Sequence, residues 1–293
     1  MTTGATLIVN PHASRVTPEL VAAVERELGD VETVVTAGRW HAAELAAAAS
    51  ETSERIYVFS GDGGFNEAVN GLGRGVAVGF IPGGATSVTP RALGLPRDPV
   101  ECARVLARSG RTRRISLGRV GERRFLFSAG LGLDAELVRR VDRMGRRSGR
   151  RPDDAAWAFT LGRILLARRG KLPPALTVLG RGRAAFALVA NCDPYTYAGP
   201  LPVHVAPDAR FELGLDLVAP VSLAPGRLPR AAWSVLVRPT HPRADWVIHI
   251  HDADELQVEC DAPTPLQVDG EDLGDVTDAH FVAERAVLEV VVD

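Results

Sequence analysis

Lysine is almost missing. Lys171 is the one lysine of the chain, so 33 of its 34 basic residues are arginine. A Walker-type phosphate loop needs a lysine directly before its serine or threonine, and any phosphate site here must work without one. Cysteine is scarce too: Cys102, Cys192 and Cys260 are odd in number and far from CxxC spacing. That excludes a disulfide framework and a zinc site, and fits a reducing cytoplasm. No apolar run of about 18 residues occurs, and the opening MTTGATLIVN lacks a charged region followed by a long apolar stretch, so any membrane contact is expected to be peripheral. The formal net charge of −2 lacks the basic surplus of a nucleic-acid-binding domain, and no nucleic-acid partner is expected.

What is present is an ordinary globular chain. Its 293 residues, 46% hydrophobic and 24% charged, are about two average domains long. From residue 5 to about 117, short β-branched apolar runs alternate with helical stretches, the pattern of a parallel sheet flanked by helices. The expected strands are Thr6–Val9, Val31–Val35, Arg55–Phe59, Val76–Phe80 and Arg113–Leu117. The expected helices are Pro18–Leu28, His41–Ser50, Phe65–Leu72, Ser87–Leu93 and Pro99–Ala107, several opened by Thr, Ser or Pro. Beyond 118 the pattern changes to one helix-like region, Asp134–Arg169, followed by short strand-like runs divided by Pro and Gly. The expectation is an α/β domain with a parallel sheet over 1–117 and a mainly antiparallel β-sandwich over 118–293.

The most informative segment is IYVFSGDGGFNEAVNGL, residues 56–72. A buried-type strand runs into Gly61, Asp62, Gly63 and Gly64, and a helix follows. Glycines let backbone N–H groups turn toward an oxyanion, and the helix N-terminus adds partial positive charge. Asp62 sharpens the reading, because a carboxylate beside a polyphosphate is repelled unless it takes a proton or reaches Mg²⁺. The plain alternative is that Asp62 caps a helix and the glycines merely make the turn.

This segment, SGDGGFNEAVNGL, resembles the hallmark GGDGTxNEVVNGL of the diacylglycerol kinase-like lipid kinases. LIVNPHAS at 7–14, IPGGATSVTPRALGLP at 81–96, FLFSAGLGLDAELV at 125–138 and LQVDGEDL at 266–273 resemble further segments of that family, in the family's order. The resemblance implies that Ser60, Gly61, Asp62, Gly63, Gly64, Asn66 and the adjoining Glu67 cradle the triphosphate. It implies that Asn10 and Thr36 touch the nucleotide, and that Gly83, Gly84, Ala85, Thr86 and Ser87 close the other side. Asp62 and Glu271 are the implied catalytic carboxylates, Glu271 accepting the proton of the acceptor hydroxyl and Asp62 holding the Mg²⁺–phosphate geometry, with the roles exchangeable. Asp269-Gly270 before Glu271 is equally a good hairpin turn between strands.

The chain departs from the family at several points near the chemistry. The hallmark Thr is Gly64; the usual Thr, Asn and Asp of the second loop are Ala85, Ser87 and Val88; a junction Asp is Ser116; and an Asp-Gly that supports a structural metal in some members is Leu213-Gly214. On the lipid side, Arg139, Arg140, Arg143, Arg146, Arg147, Arg150 and Arg151 precede an amphipathic stretch in which Trp157, Leu161, Ile164 and Leu165 share a face. The cluster suits an anionic membrane surface, while the apolar face suits core packing. His249 and His251 alternate on one strand face, a solvated face being the plainer reading than a metal pair because no third ligand is evident. Tyr195 and Tyr197 pack a strand end or line a lipid entrance.

The resemblance therefore implies an ATP- and Mg²⁺-dependent kinase acting on the hydroxyl of diacylglycerol or a similar lipid, cytoplasmic and peripherally membrane-associated, with a homodimer compatible. A second expectation is a catalytically degenerate nucleotide- or lipid-binding regulator or carrier of the same fold. A third, a soluble kinase of the NAD kinase type, shares GGDG but not the downstream NEAVNGL and ALGLP segments.

Overall fold

The computed structural model describes residues 3–148 and 154–293. The chain divides into two compact units, Met1–Leu117 together with Arg285–Asp293, and Gly118–Glu284. Sequence reasoning placed all of 118–293 in the second domain; the structure returns Arg285–Asp293 to the first. The apolar run there, AVLEVVV, looks the same whichever unit it belongs to, so periodicity carries no information about its partner.

The first unit runs β1 (Thr3–Val9), α1 (Pro18–Leu28), β2 (Glu32–Val35), α2 (His41–Thr52), β3 (Ser53–Ser60), α3 (Asp62–Gly71), β4 (Ala77–Pro82), α4 (Val88–Ala92), α5 (Pro99–Arg108) and β5 (Thr112–Val120), whose last residues belong to the second unit. Strands β2, β1, β3 and β4 lie side by side, all parallel, and Glu289 and Val290 of the chain's last strand pair parallel with Ala77 and Val78 beyond β4. The central strands are buried as a sheet covered on both faces requires: Ile56 through Phe59 and Val78, Phe80 and Ile81 are all core. Helix α1 starts where Thr17 accepts from the Leu20 amide ahead of Pro18, and α5 where Asp98 accepts from Val100 and Glu101 ahead of Pro99. Helix α3 opens at Asp62, three positions before Phe65 where propensity placed it. Glycine costs a helix about 1 kcal/mol, and this start is held by packing instead, with Phe65 fully buried edge-on against Phe80 at 5.1 Å.

The second unit contains β6 (Arg123–Phe125), β7 (Ser128–Leu131), α6 (Leu133–Ser148), α7 (Asp154–Ala167), β8 (Leu176–Val178), β9 (Gly182–Ala184), β10 (Ala187–Ala190), β11 (Thr196–Ala198), β12 (Leu201–Val203), β13 (Leu215–Pro220), α8 (Leu228–Leu236), β14 (Val247–Ala253), β15 (Glu255–Val268) and most of β16 (Glu271–Val291). Its strands pair antiparallel in the order β14, β13, β10, β7, β15, β16, with β8 and β9 branching from β15 and a separate β11–β12 hairpin. The strand-rich antiparallel second domain is thus present, but β15 joins its layers, pairing with β8 through Val258–Cys260 and with β7 through Leu266–Val268 across an irregularity. Its core gathers Phe125, Leu131, Val189, Leu217, Val258, Val268 and Phe281. The helix-like region 134–169 is two helices, and α8 was not expected: Pro225 and Pro229 gave its sequence the look of a loop.

Candidate functional site

The parallel register brings the carboxyl ends of β1, β2, β3 and β4 to one end of the sheet, where ligands of open α/β folds bind. Asn10 follows β1, its N–H donating to Phe59 O at 3.0 Å and its Oδ1 accepting from the His12 N–H. Thr36 follows β2, buried, its N–H on Val9 O at 2.8 Å. Ser60 and Gly61 follow β3, and Gly83 follows β4 with its N–H on Ser60 O at 2.7 Å. Asn10, Thr36, Ser60, Gly61 and Gly83, expected around one ligand, therefore end adjacent strands.

The two glycine loops are locked together through Asp62. Its Oδ1 accepts from the Val88 N–H at 2.7 Å and, more weakly, from the Thr89 N–H at 3.5 Å, so the carboxylate caps the first turn of α4, a helix 26 residues further on. The capping alternative was correct in kind and wrong in target: Asp62 opens α3 and caps α4. Ser87, the residue before α4, has φ of 46°, and its hydroxyl bonds Gly84 across the loop at 3.1 Å. A Cβ on Gly84 would come within 2.8 Å of Gly61 Cα, so the backbones of the two loops touch and only glycine fits. Ala85 and Thr86 sit on the outer side of this loop; Asn66 is fully buried in α3, and Glu67 is half-buried beside it.

Ser60 and Gly64 fit each other. A Cβ on Gly64 would lie 2.0 Å from Ser60 Oγ, so the serine hydroxyl fills the space a side chain at 64 would take. That hydroxyl is buried and makes no hydrogen bond with the described residues. Gly61 provides no side-chain cap for α3, whose N-terminus carries the partial positive charge of its aligned amides. A buried hydroxyl donor beside a helix N-terminus is an arrangement suited to an oxyanion. Next to the second loop, a hollow of about 550 Å³ is lined by Arg15, Ala85, Arg97 and Asp98. Sequence reasoning missed Arg15 and Arg97. Arg15 stands directly after the LIVNPHAS segment, which was the available signal; Arg97, whose backbone carbonyl accepts from Arg15 Nη1 at 3.4 Å, had none.

Glu271 belongs to the second unit and Asp62 to the first. Glu271 opens β16 just after a two-residue turn in which Asp269 and Gly270 have φ of 46° and 82°, as a twisted hairpin demands. The hairpin alternative is therefore real, and Glu271 nevertheless carries an interaction of its own, accepting from Arg123 Nη2 at 2.7 Å. Asp269, buried, accepts from the amides of Leu126, Phe127 and Ser128, tying the hairpin to β7. Asp134 is a half-buried carboxylate, whose Oδ2 accepts from Tyr195 Oη at 2.9 Å and Gln267 Nε2 at 2.7 Å. Burial pushes the Asp134 carboxyl above the ordinary aspartate range against the pull of those donors, and burial with Asp134 alongside pushes the Tyr195 phenol up. Tyr195 thus packs a strand end, Oη also reaching Ala129 O.

His251 is exposed, as a solvated strand face requires, while His249 is half-buried. Both turn to the fully buried Asp216, His251 Nδ1 at 2.9 Å and His249 Nε2 at 3.6 Å. Among the described residues no group of three or more His, Cys, Asp or Glu is arranged to hold a metal ion. Ser116, in the position of the family's junction aspartate, is buried and accepts from the Ala286 N–H, and Gly214 donates to Asp252. Two arginines of the expected cluster are committed within the unit: Arg139 bridges Asp272 and Asp275, and Arg140 pairs with Glu136. Arg143 is exposed; the side chains of Arg146 and Arg147, and Arg150 and Arg151 altogether, lie outside the described residues. On α7, Ile164 is buried and Leu165 packs on a small core, so the apolar face of this helix does pack inward. No helix among the described residues is long and apolar enough to cross a membrane.

Comparison with known proteins matches residues 4–120 to the diacylglycerol kinase catalytic domain. A diacylglycerol kinase of Bacillus subtilis (strain 168) is 38% identical over 101 residues, 33% of either chain. A protein of Chromohalobacter salexigens named "Probable lipid kinase YegS-like" is 31% identical over 141 residues, 45% of either chain. The matched stretches thus span a third and under half of those relatives. Among solved structures, a diacylglycerol kinase from Bacillus anthracis str. Sterne superimposes with TM-score 0.69 at 18% identity, covering 99% of this chain and 97% of that one. An Archaeoglobus fulgidus NAD kinase in complex with ATP does so with TM-score 0.53 at 12% identity, covering 98% and 93%. Both likenesses concern the fold.

Proposed function

We propose, from a chain whose residues 4–120 belong to the diacylglycerol kinase catalytic-domain family, that the protein is an ATP-dependent lipid kinase. The observation that carries this is the turn after β3: a buried Ser60 hydroxyl with no hydrogen-bond partner among the described residues, beside the N-terminus of α3. Those donors hold the end phosphate of the triphosphate, and Arg15 and Arg97 at the neighbouring hollow offset its remaining charge. The residues fit a triphosphate better than a caged metal. Asp62 is the loop's carboxylate, one of whose oxygens accepts from α4, and it would stand beside a Mg²⁺ carried by the nucleotide. When bound, Mg²⁺ supplies charge neutralisation on the phosphates.

In the reaction a lipid hydroxyl oxygen forms a bond to the terminal phosphorus, the bridging P–O bond breaks, ADP leaves, and the hydroxyl proton passes to a carboxylate. Glu271 is assigned that proton, with Arg123 fixing its orientation through the 2.7 Å bond. The substrate is diacylglycerol or a similar hydroxylated lipid, met at a membrane surface from the cytoplasm. Purified protein given labelled ATP, magnesium and lipid acceptors in mixed micelles should label one of them. Asp62→Asn should lower that rate by about a hundredfold or more.

A second reading rests on Ala85, Val88 and Ser116, where the polar and acidic residues of the family pattern are absent: a degenerate member that binds nucleotide or lipid without turnover. Calorimetry decides between the two. ATP binding with no labelled product across the acceptor panel selects the carrier, and any turnover removes it.

A further inference from the structure

Charge in the second unit is segregated along the chain. Residues 155–192 and 217–244 together carry ten Arg and Lys and no Asp or Glu, in a protein whose net charge is −2. These stretches contain α7 and α8, which pack on one small core of Leu172, Phe186 and Leu223, α7 through Leu165 and α8 through Leu228 and Ala231. Away from that core both helices leave large apolar side chains in solvent. On α8 and just after it these are Trp233, 62% exposed, with Leu236 and Val237; on α7 they are Phe159 and Leu166, the latter 79% exposed. Arg230 and Arg238 flank the α8 group, and Arg163 lies 5.8 Å over the Phe159 ring. Arg168 pairs with Glu136, whereas Arg163, Arg169, Arg230 and Arg238 are exposed and form no ion pair with the described residues.

We propose that the outer faces of α7 and α8 dock on an anionic lipid bilayer, Trp233, Leu236 and Val237 entering the headgroup boundary while Arg230 and Arg238 meet lipid phosphates. A Trp set among aliphatic side chains and ringed by guanidinium groups matches the layered polarity of that boundary. Exposed leucine and valine have no use against a nucleic-acid backbone, which would select the cations alone. The surface differs from the one the sequence suggested, since Arg139 and Arg140 are held by Asp272, Asp275 and Glu136. The proposal names the partner surface for the lipid-kinase reading and rests on that reading only for its purpose.

The test uses the full chain, without nucleotide or acceptor lipid, sedimented with phosphatidylcholine vesicles containing phosphatidylglycerol and with phosphatidylcholine alone. The wild type should partition onto the anionic vesicles and much less onto the neutral ones. Trp233→Ser with Leu236→Ser, and separately Arg230→Glu with Arg238→Glu, should each lower partitioning roughly tenfold, with the thermal midpoint unchanged because all four side chains are exposed. Absence of partitioning, or equal partitioning of wild type and variants, overturns the proposal. So does a wild-type dimer in solution that Trp233→Ser dissociates, which would make this face a contact between copies. Because no turnover is read, failure here leaves the kinase assignment standing, and loss of kinase activity leaves this one standing.

Discussion

Ser60 and Gly64 make a pair whose parts cannot be exchanged singly. Gly64→Ala would put a methyl 2.0 Å from the Ser60 hydroxyl, and such overpacking costs about 1–3 kcal/mol. Ser60→Gly with Gly64→Ala should recover most of that loss, which thermal unfolding of the two variants beside the wild type would measure. Asp62 offers a similar separation. Asp62→Ala strips the acceptor from the buried amides of Val88 and Thr89 and should destabilise the protein by about 1–3 kcal/mol, whereas Asp62→Asn keeps an acceptor oxygen and should lose activity with little stability. Denaturant titration beside the activity assay checks both. The glycines and Asp62 were visible in the sequence because strand, glycine and helix signals abut there within a dozen residues. The partner of Asp62 was not visible, since nothing in residues 56–72 specifies which distant amide will arrive, and the fit of Ser60 to Gly64 depends on backbone path rather than residue type.

Within elements, His251 on β14 and Asp134 at the start of α6 tie stability to pH. The hydrogen bond to Asp216 holds His251 above the ordinary histidine range. A raised histidine stabilises the fold fully below its unfolded value of about 6.5 and loses that contribution as pH rises through the folded value. Asp134 has the same sign for a different reason: its raised carboxyl keeps a proton in the fold that the unfolded chain gives up, so stability falls as pH rises out of the ordinary aspartate range. Chemical denaturation across a pH series should show both slopes, His251→Gln flattening the one that sets in above the ordinary histidine range and Asp134→Asn the one that sets in above the ordinary aspartate range. If neither variant alters its slope, these groups are not the titrating ones. Helices with a capping residue and proline at their first turn, α1 and α5, were legible to the residue at their start. Helix α8 was not, because Pro229 falls inside its first turn, where it is tolerated, and a proline in that sequence context reads first as a break.

At the scale of the molecule, the first unit is assembled from both ends of the chain. Leu288, Val290 and Val291 are buried in it, so deleting 285–293 should remove on the order of 5 kcal/mol of apolar burial. We expect the truncated protein to lose the cooperative unfolding of its first unit, seen by calorimetry. The two-domain architecture was legible from the change in period near 118, but the return of the last strand was not, because a strand's neighbour is a tertiary fact. The same arrangement sets an order of events on the ribosome. Strand β4 and its apolar flank emerge early, while the segment that covers its open edge is made only after all of Gly118–Glu284. For that interval the nascent sheet presents unpaired backbone groups beside Val78, Phe80 and Ile81, the kind of edge that recruits other chains. Slow synthesis, or a stall within the second unit, would therefore aggregate a polypeptide whose finished form conceals that hazard.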